Sequence, residues 1–354
     1  MSNGNRNFSR RLAKTATLIR PSRGGATAGR GEAWTGKAST YYGIPLIKKA
    51  HWGWQIYLYF FLGGIAGGSH LVSTLAHLLG KDTKLVRSGR YLSFACLLAS
   101  PILLIMDLGR PERFHHMLRI LKFRSPMSLG TWALSAFGMF CGLTTVHQAA
   151  KDGLLNWFPL AARLFKALPV KVIEAFGSFF GLFVASYTGV LLSSTAVPIW
   201  ARARHILGPL FLTSGLSTGL SALSLILSLG RSSHDTLQRL DRAEVIAMTT
   251  ELGLIASLVP TLGPLAKPLF KGRTGLLFTA GTIGGGLLLP LLTKLGFNLS
   301  GRTPPRGINI AASLLALTGG FILRYVWIIA GRTSANDPQA THHYNALEWN
   351  EGKK

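Results

Sequence analysis

Residues 52–79 read WGWQIYLYFFLGGIAGGSHLVSTLAHLL, 28 residues without one Asp, Glu, Lys or Arg. A bilayer core about 30 Å thick is crossed by roughly 20 mostly apolar residues in a helix, so this stretch is long enough to span. It is apolar all round rather than along one stripe, the pattern of a helix with no face turned to water. Seven more stretches of the same kind follow: Gly89–Asp107, Met127–His147, Val170–Pro198, Ile206–Leu229, Ala243–Leu262, Thr274–Leu295 and Ile308–Gly331. Short polar segments separate them, among them Gly80-Lys81-Asp82, Gly109-Arg110-Pro111 and Lys151-Asp152-Gly153. The reading is an all-α integral membrane protein with eight transmembrane helices, the sixth least regular because Glu244 and Glu251 fall inside it.

The composition agrees. Of 354 residues, 48% are hydrophobic and 14% charged, where a soluble domain carries about 25% charged. The net charge of +25 would suggest nucleic acid in a soluble chain; here the basic residues collect in loops between apolar runs, so no nucleic-acid partner is expected. Cys96 and Cys141 are the only cysteines and both lie in apolar segments. They exclude a disulfide scaffold, and an ordinary iron–sulfur cluster needs four thiolates, so the chain is expected to hold none by itself.

An even span count puts both termini on one side. Residues 1–50 form a basic, Gly/Ser-rich tail; its Ser9-Arg10-Arg11-Leu12-Ala13-Lys14 resembles part of a twin-arginine signal, but no apolar segment follows before Trp52, so it reads as a basic arm. Lys and Arg number 23 on the terminal side against 14 opposite, with 10 of the 23 in the tail. Positive charge stays inside, which assigns both termini to the cytoplasm in the inner membrane, on the strength of the tail.

Charges inside spans are expensive and either functional or paired. Glu174 and Arg324 lie near helix ends, where snorkelling to the interface competes with function. Asp107 either pairs with Arg110 or Arg113 or takes part in chemistry; Glu251, deepest, is either a proton relay or a hydrogen-bond partner of a neighbouring helix. His70, His77, His147 and His205 offer no pair at matching depth on facing spans, so no haem is expected. Gly63-Gly64-Ile65-Ala66-Gly67-Gly68 contains overlapping small-xxx-small pairs that let helices approach closely, and Gly281–Gly286, inside a span, reads as packing.

Topology sharpens this. The start of span one, end of span two, start of span three and end of span four share the terminal side. There stand His51, Trp52, Trp54, Gln55, Tyr57 and Tyr59; Asp107, Arg110, Glu112, Arg113, His115 and His116; Ser125, Ser128 and Trp132; and Ser186, Tyr187 and Thr188. An aromatic belt accounts for Trp52 and Trp54. It does not account for an acid, a histidine pair and two tyrosines a turn or more inside, which suit a small cavity with hydrogen-bonding groups near one membrane face.

These residues carry a resemblance. Trp52–Gly68 resembles the first-span signature of the NrfD/polysulfide reductase membrane-subunit family. Asp107-Leu108-Gly109-Arg110-Pro111-Glu112-Arg113-Phe114, with Ser125–Gly130, is similar to its second-loop signature, and Ser186-Tyr187-Thr188-Gly189-Val190-Leu191-Leu192, with Pro198 and Trp200, to its fourth-span motif. The resemblance covers residues 40–200. It implies two four-helix bundles, over residues 51–200 and 201–332, between the N-terminal tail and a C-terminal tail of residues 333–354. It also implies a quinone-binding membrane subunit that docks a ferredoxin-like iron–sulfur subunit, often joined to a molybdopterin oxidoreductase. Carried over by motif, the quinone pocket involves Trp54 to Tyr59, the Asp107–His115 loop with Arg110, and Tyr187. Some relatives have Asn and His where this chain has Ile56 and Tyr59, so Gln55 or Tyr59 would take that hydrogen-bonding role.

The chemistry of a quinone, menaquinone or ubiquinone, fits those residues. Two electrons and two protons move, so two oxygens need hydrogen bonds and the protons a route to water. Tyr187 with Gln55 or Tyr59 would bond the head group, Asp107 or His115 would exchange protons, and Glu251 would extend the relay. A secondary transporter, with its acids and glycine-broken helices, and a passive anchor are the alternatives.

Overall fold

The computed structural model describes residues 47–351 except 49, 81, 231, 232 and 303. The basic tail through residue 46, with Ser9–Lys14, lies outside the described residues. Among these there is no strand, and eight helices are long and apolar enough to cross a membrane. They are α1 (Trp54–Leu78), α2 (Thr83–Asp107), α3 (Pro126–Lys151), α4 (Val170–Ser193), α5 (Arg204–Leu229), α6 (His234–Leu262), α7 (Gly272–Leu299) and α8 (Arg306–Ala335).

Local chemistry sets the ends. Gly80, with φ 63°, turns the chain out of α1, and the Asp82 carboxylate caps α2 by accepting from the Lys84 N–H at 2.7 Å. Ser125 caps α3 in the same way, with Pro126 in the first turn, where its missing N–H costs nothing. Two starts differ from those read from hydropathy. α2 begins at Thr83 rather than Gly89, and α6 at His234 rather than Ala243. Apolar counting stops short of Arg87 and Asp241, whereas the backbone stays helical through both, Arg87 pairing with Asp152 and Asp241 with Lys294. α4 stops at Ser193, not Pro198: Ser193, Ser194 and Thr195 turn their hydroxyls onto carbonyls three residues back, and Val197 is extended before Pro198.

α1 packs on α2 and α4, and α3 packs on α2 and α4; in the same fashion α5 and α7 each pack on α6 and α8. α5 also lies against α1 and α4, joining the two sets. The glycines of α1 permit this. A Cβ on Gly67 would overlap the Gly181 carbonyl of α4, and one on Gly68 the Gly215 carbonyl of α5. In α7, residues Leu277–Leu288 widen to i→i+5 hydrogen bonding, and Gly286 there meets Gly319 of α8 backbone to backbone.

Neither Glu174 nor Arg324 snorkels. Both are wholly buried, because each finds partners within the helix set: Glu174 pairs with Arg90 and His77, each at 2.5 Å, and Arg324 donates to Ser214 Oγ at 2.6 Å and the Gly320 carbonyl at 2.7 Å. Arg90 also donates to Gln148 at 2.6 Å, and Gln148 to Asp152 at 3.0 Å. At the rim, outside the spans, Asp152 meets Arg87 at 2.9 Å and Tyr91 at 2.7 Å. Burial alone would raise its pKa, but the hydrogen bonds from Tyr91 and Gln148 and the Arg87 charge outweigh that and hold it below 3.8.

Candidate functional site

Between α1, α2, α3 and α4, at the end of the helices where α1 and α3 begin and α2 and α4 stop, is a cavity of about 490 Å³. Most of its wall is apolar, from residues such as Ile56, Leu97, Leu134 and Leu191; the polar groups are few and include Tyr59, Asp107 and Tyr187. A 3₁₀ turn, Pro111–Leu118, runs beside it and contributes Phe114, Met117 and Leu118 to the wall. Of the residues expected at the pocket, Tyr59, Asp107 and Tyr187 share this wall.

Tyr187 is 6% exposed. Its ring stacks on Phe183 with centroids 5.8 Å apart, and Gly130 of α3 makes room for it, since a Cβ there would overlap the phenol. Its hydroxyl donates to the Pro126 carbonyl oxygen at 2.6 Å, which leaves only oxygen lone pairs for a second partner. Tyr59 is 3% exposed, and among the described residues its hydroxyl makes no hydrogen bond. Tyr59 is therefore the phenol whose proton remains free to donate into the cavity.

Asp107, half-buried, uses Oδ1 to accept the Gly53 N–H at 3.1 Å. This places a carboxylate at the N-terminus of α1, where the helix dipole favours negative charge. No ion pair with Arg110 or Arg113 forms among the described residues; both arginines are exposed. Trp52, also in the wall, stacks on buried Trp200 at 5.3 Å and 17°, and the Trp200 indole donates to the Trp327 carbonyl at 2.9 Å. Arg332 of α8 donates to the Trp52 carbonyl.

The other expected site residues lie elsewhere. Trp54 is 51% exposed, and neither it nor Gln55 lines the cavity. Arg110 and His115 stand in the exposed loop, with the His115 and His116 rings 4.4 Å apart. Glu251 is buried in α6, outside the first helix set. Of the histidines, His77 pairs with Glu174 and His147 Nδ1 lies 2.8 Å from the Phe165 carbonyl, whereas buried His70 finds no hydrogen bond among the described residues.

Sequence reasoning missed the Trp52–Trp200 stack, whose partners are far apart in the chain. It also missed the buried ion network at the opposite ends of α1 to α4. Arg90 and Glu174 each stand in an apolar run, and a rule pairing opposite charges at equal depth would have found them.

The comparisons extend these findings. Residues 46–335 match the family described as Polysulphide reductase, NrfD. The chain is 28% identical over 316 residues to the Protein NrfD homolog of Haemophilus influenzae, covering 82% of this chain and 98% of that protein. It is 28% identical over 308 residues to Protein NrfD of Escherichia coli, covering 79% and 95%. With one chain of the polysulfide reductase of Wolinella succinogenes the identity is 27% over 313 residues, covering 82% and 97%.

Proposed function

This chain belongs to the NrfD polysulphide reductase family of multi-pass membrane proteins, and from that premise we propose that it is the quinone-reactive membrane subunit of an oxidoreductase complex. The observation that carries the reading is the cavity at one membrane face, apolar for most of its wall but holding one free phenol, one hydrogen-bonded phenol and a carboxyl. An apolar slot accepts an isoprenoid tail and a flat ring, and a few placed polar groups orient the head.

Each residue has a distinct task. Tyr59 donates to a quinone carbonyl oxygen. Tyr187, its own proton held by Pro126, offers an acceptor lone pair to a quinol hydroxyl. Asp107 keeps Oδ2 free of the Gly53 bond to take or return a proton at the membrane face. A quinone supplies two-electron, two-proton chemistry when bound. Burial of Tyr59 strengthens its hydrogen bond as negative charge develops on a quinone oxygen, because little water competes.

Electrons need a partner in this scheme, and a ferredoxin-like iron–sulfur subunit, itself joined to a molybdopterin or other catalytic subunit, fits the surface. The loop from Arg110 to Arg124 presents Arg110, Arg113, Arg119, Lys122 and Arg124 to solvent along with Phe123, which is 76% exposed. The turn within this loop lines the cavity, so a partner docked there would sit close to the bound ring. In this reading the docking face is the terminal one, assigned to the cytoplasm of an inner membrane by the Lys/Arg excess.

Photolabelling of the assembled complex with a photoreactive quinone tests the proposal. Adducts are expected on peptides of α1, α3 and α4. Exclusive labelling of α5 to α8 would refute it, and turnover insensitive to every cavity substitution would leave a passive anchor.

A further inference from the structure

The charges buried in the second helix set do not balance. Lys294, near the end of α7, is wholly buried; its ammonium lies 2.8 Å from Asp241 and also contacts Glu244. Asp241 and Glu244 stand three residues apart on α6 and so share a face. The remaining Glu244 oxygen accepts from the Ser221 hydroxyl of α5. Asp241, 1% exposed, accepts no hydrogen bond on either oxygen beyond its ion-pair contact.

No other cation meets these acids among the described residues. Arg239 pairs with Asp235, while Arg242 and Arg306 are exposed. Deeper along α6, Glu251 interacts electrostatically with Arg324 of α8. In the first helix set Glu174 is matched by Arg90, and Asp152 at the rim by Arg87. Here one ammonium faces two carboxyls. Fully ionised, the trio would carry an uncompensated negative charge buried away from the solvent, and buried groups in that position neutralise instead.

We propose that Asp241 and Glu244 hold one exchangeable proton between them, so that Lys294, Asp241 and Glu244 form a proton-binding site in the second helix set. Its place is the membrane face opposite the cavity: Asp241 lies two turns into α6, which starts there, and Lys294 precedes the end of α7 by five residues. A line of buried hydroxyls runs past it. Ser214, Ser217, Ser221, Ser224 and Ser228 recur every three or four residues on α5, each at most 2% exposed. Asn309 of α8 donates to Ser224 at 3.1 Å and to Ser228 at 3.0 Å. The line therefore runs from two residues short of exposed Gly230, past Glu244, to the Ser214 that holds Arg324. This site does not depend on the quinone reading.

Infrared spectroscopy of the full chain in nanodiscs tests it through the C=O stretch of a protonated carboxyl. At neutral pH the wild type should show that band, and D₂O should shift it. Asp241→Asn and Glu244→Gln each leave one carboxylate per ammonium, so each should remove the cluster's share of the band. Lys294→Met, with both acids then neutral, should raise that share about twofold. Thermal unfolding reports which variants fold, and one folded acid variant with the wild type suffices. No band in the wild type, as a bound sodium ion in place of the proton would give, overturns the proposal. So does a band unmoved by D₂O, or one that no folded acid variant diminishes.

Discussion

The Tyr187 hydroxyl donates to the Pro126 carbonyl oxygen at 2.6 Å, pinning the later half of α4 to the first turn of α3. That bond divides the work of the two cavity phenols. Tyr59→Phe deletes the free donor and should lower quinone-linked turnover about tenfold, equivalent to about 1.4 kcal/mol. Tyr187→Phe should instead lower stability by about 0.5–1.5 kcal/mol and reduce turnover less than Tyr59→Phe does. Steady-state assays of the assembled complex, paired with thermal unfolding, check both, and equal losses in turnover would contradict the division.

The buried pairing of Glu174 with Arg90 and His77 makes a separate prediction about folding. Glu174→Ala leaves Arg90 uncompensated in a site that is about 1% exposed. Breaking one side of such a pair costs about 3–5 kcal/mol. A sharp fall in the unfolding midpoint in detergent is expected, and an unchanged midpoint would show that the network contributes little.

At the rim, Asp152 carries a pH signature. Its carboxyl is held below 3.8 by Tyr91, Gln148 and Arg87 against the opposing effect of burial. A carboxyl depressed in the folded state stabilises above its unfolded value and loses that contribution as pH falls through the folded one. Asp152→Asn should therefore unfold below wild type at neutral pH, and the gap should close in acid below about pH 4. A gap that persists unchanged in acid would mean that the effect is not one of charge.

Topology is open to labelling. Single cysteines at Asn345, in the helix Pro338–Glu351 that follows α8, and at Leu154 beyond α3, in a chain lacking Cys96 and Cys141, lie at opposite faces of an eight-span protein. The Lys/Arg excess predicts that an impermeant reagent applied outside reaches Leu154→Cys and not Asn345→Cys. The reverse pattern would invert the orientation and leave the cavity where it is.

How far the sequence reaches can be seen residue by residue. The eight helices are legible because uncharged runs such as Trp52–Leu79 have no alternative to a bilayer. Their ends are less so, since Arg87 and Asp241 look like boundaries until their distant partners, Asp152 and Lys294, are known. Tyr59, Asp107 and Tyr187 share a face by counting alone, because alternate helices reverse direction. Trp54 does not join them: one residue of helix turns a side chain by about 100°, so neighbours in the motif point in different directions. The Tyr187–Pro126 bond was beyond reach, as it joins a side chain to a backbone oxygen 61 residues away.

Gly138 gives access to the cavity without touching its polar groups. It lines the wall, and a Cβ there meets nothing within 4 Å, so Gly138→Phe adds a ring where the quinone is placed. Titration of a short-chain quinone analogue into the protein in nanodiscs, followed calorimetrically, compares this variant with wild type. One analogue bound per wild-type chain, with binding lost in a correctly folded Gly138→Phe variant, is the expected result; binding that the added ring leaves unchanged would contradict the assignment of this cavity to a quinone.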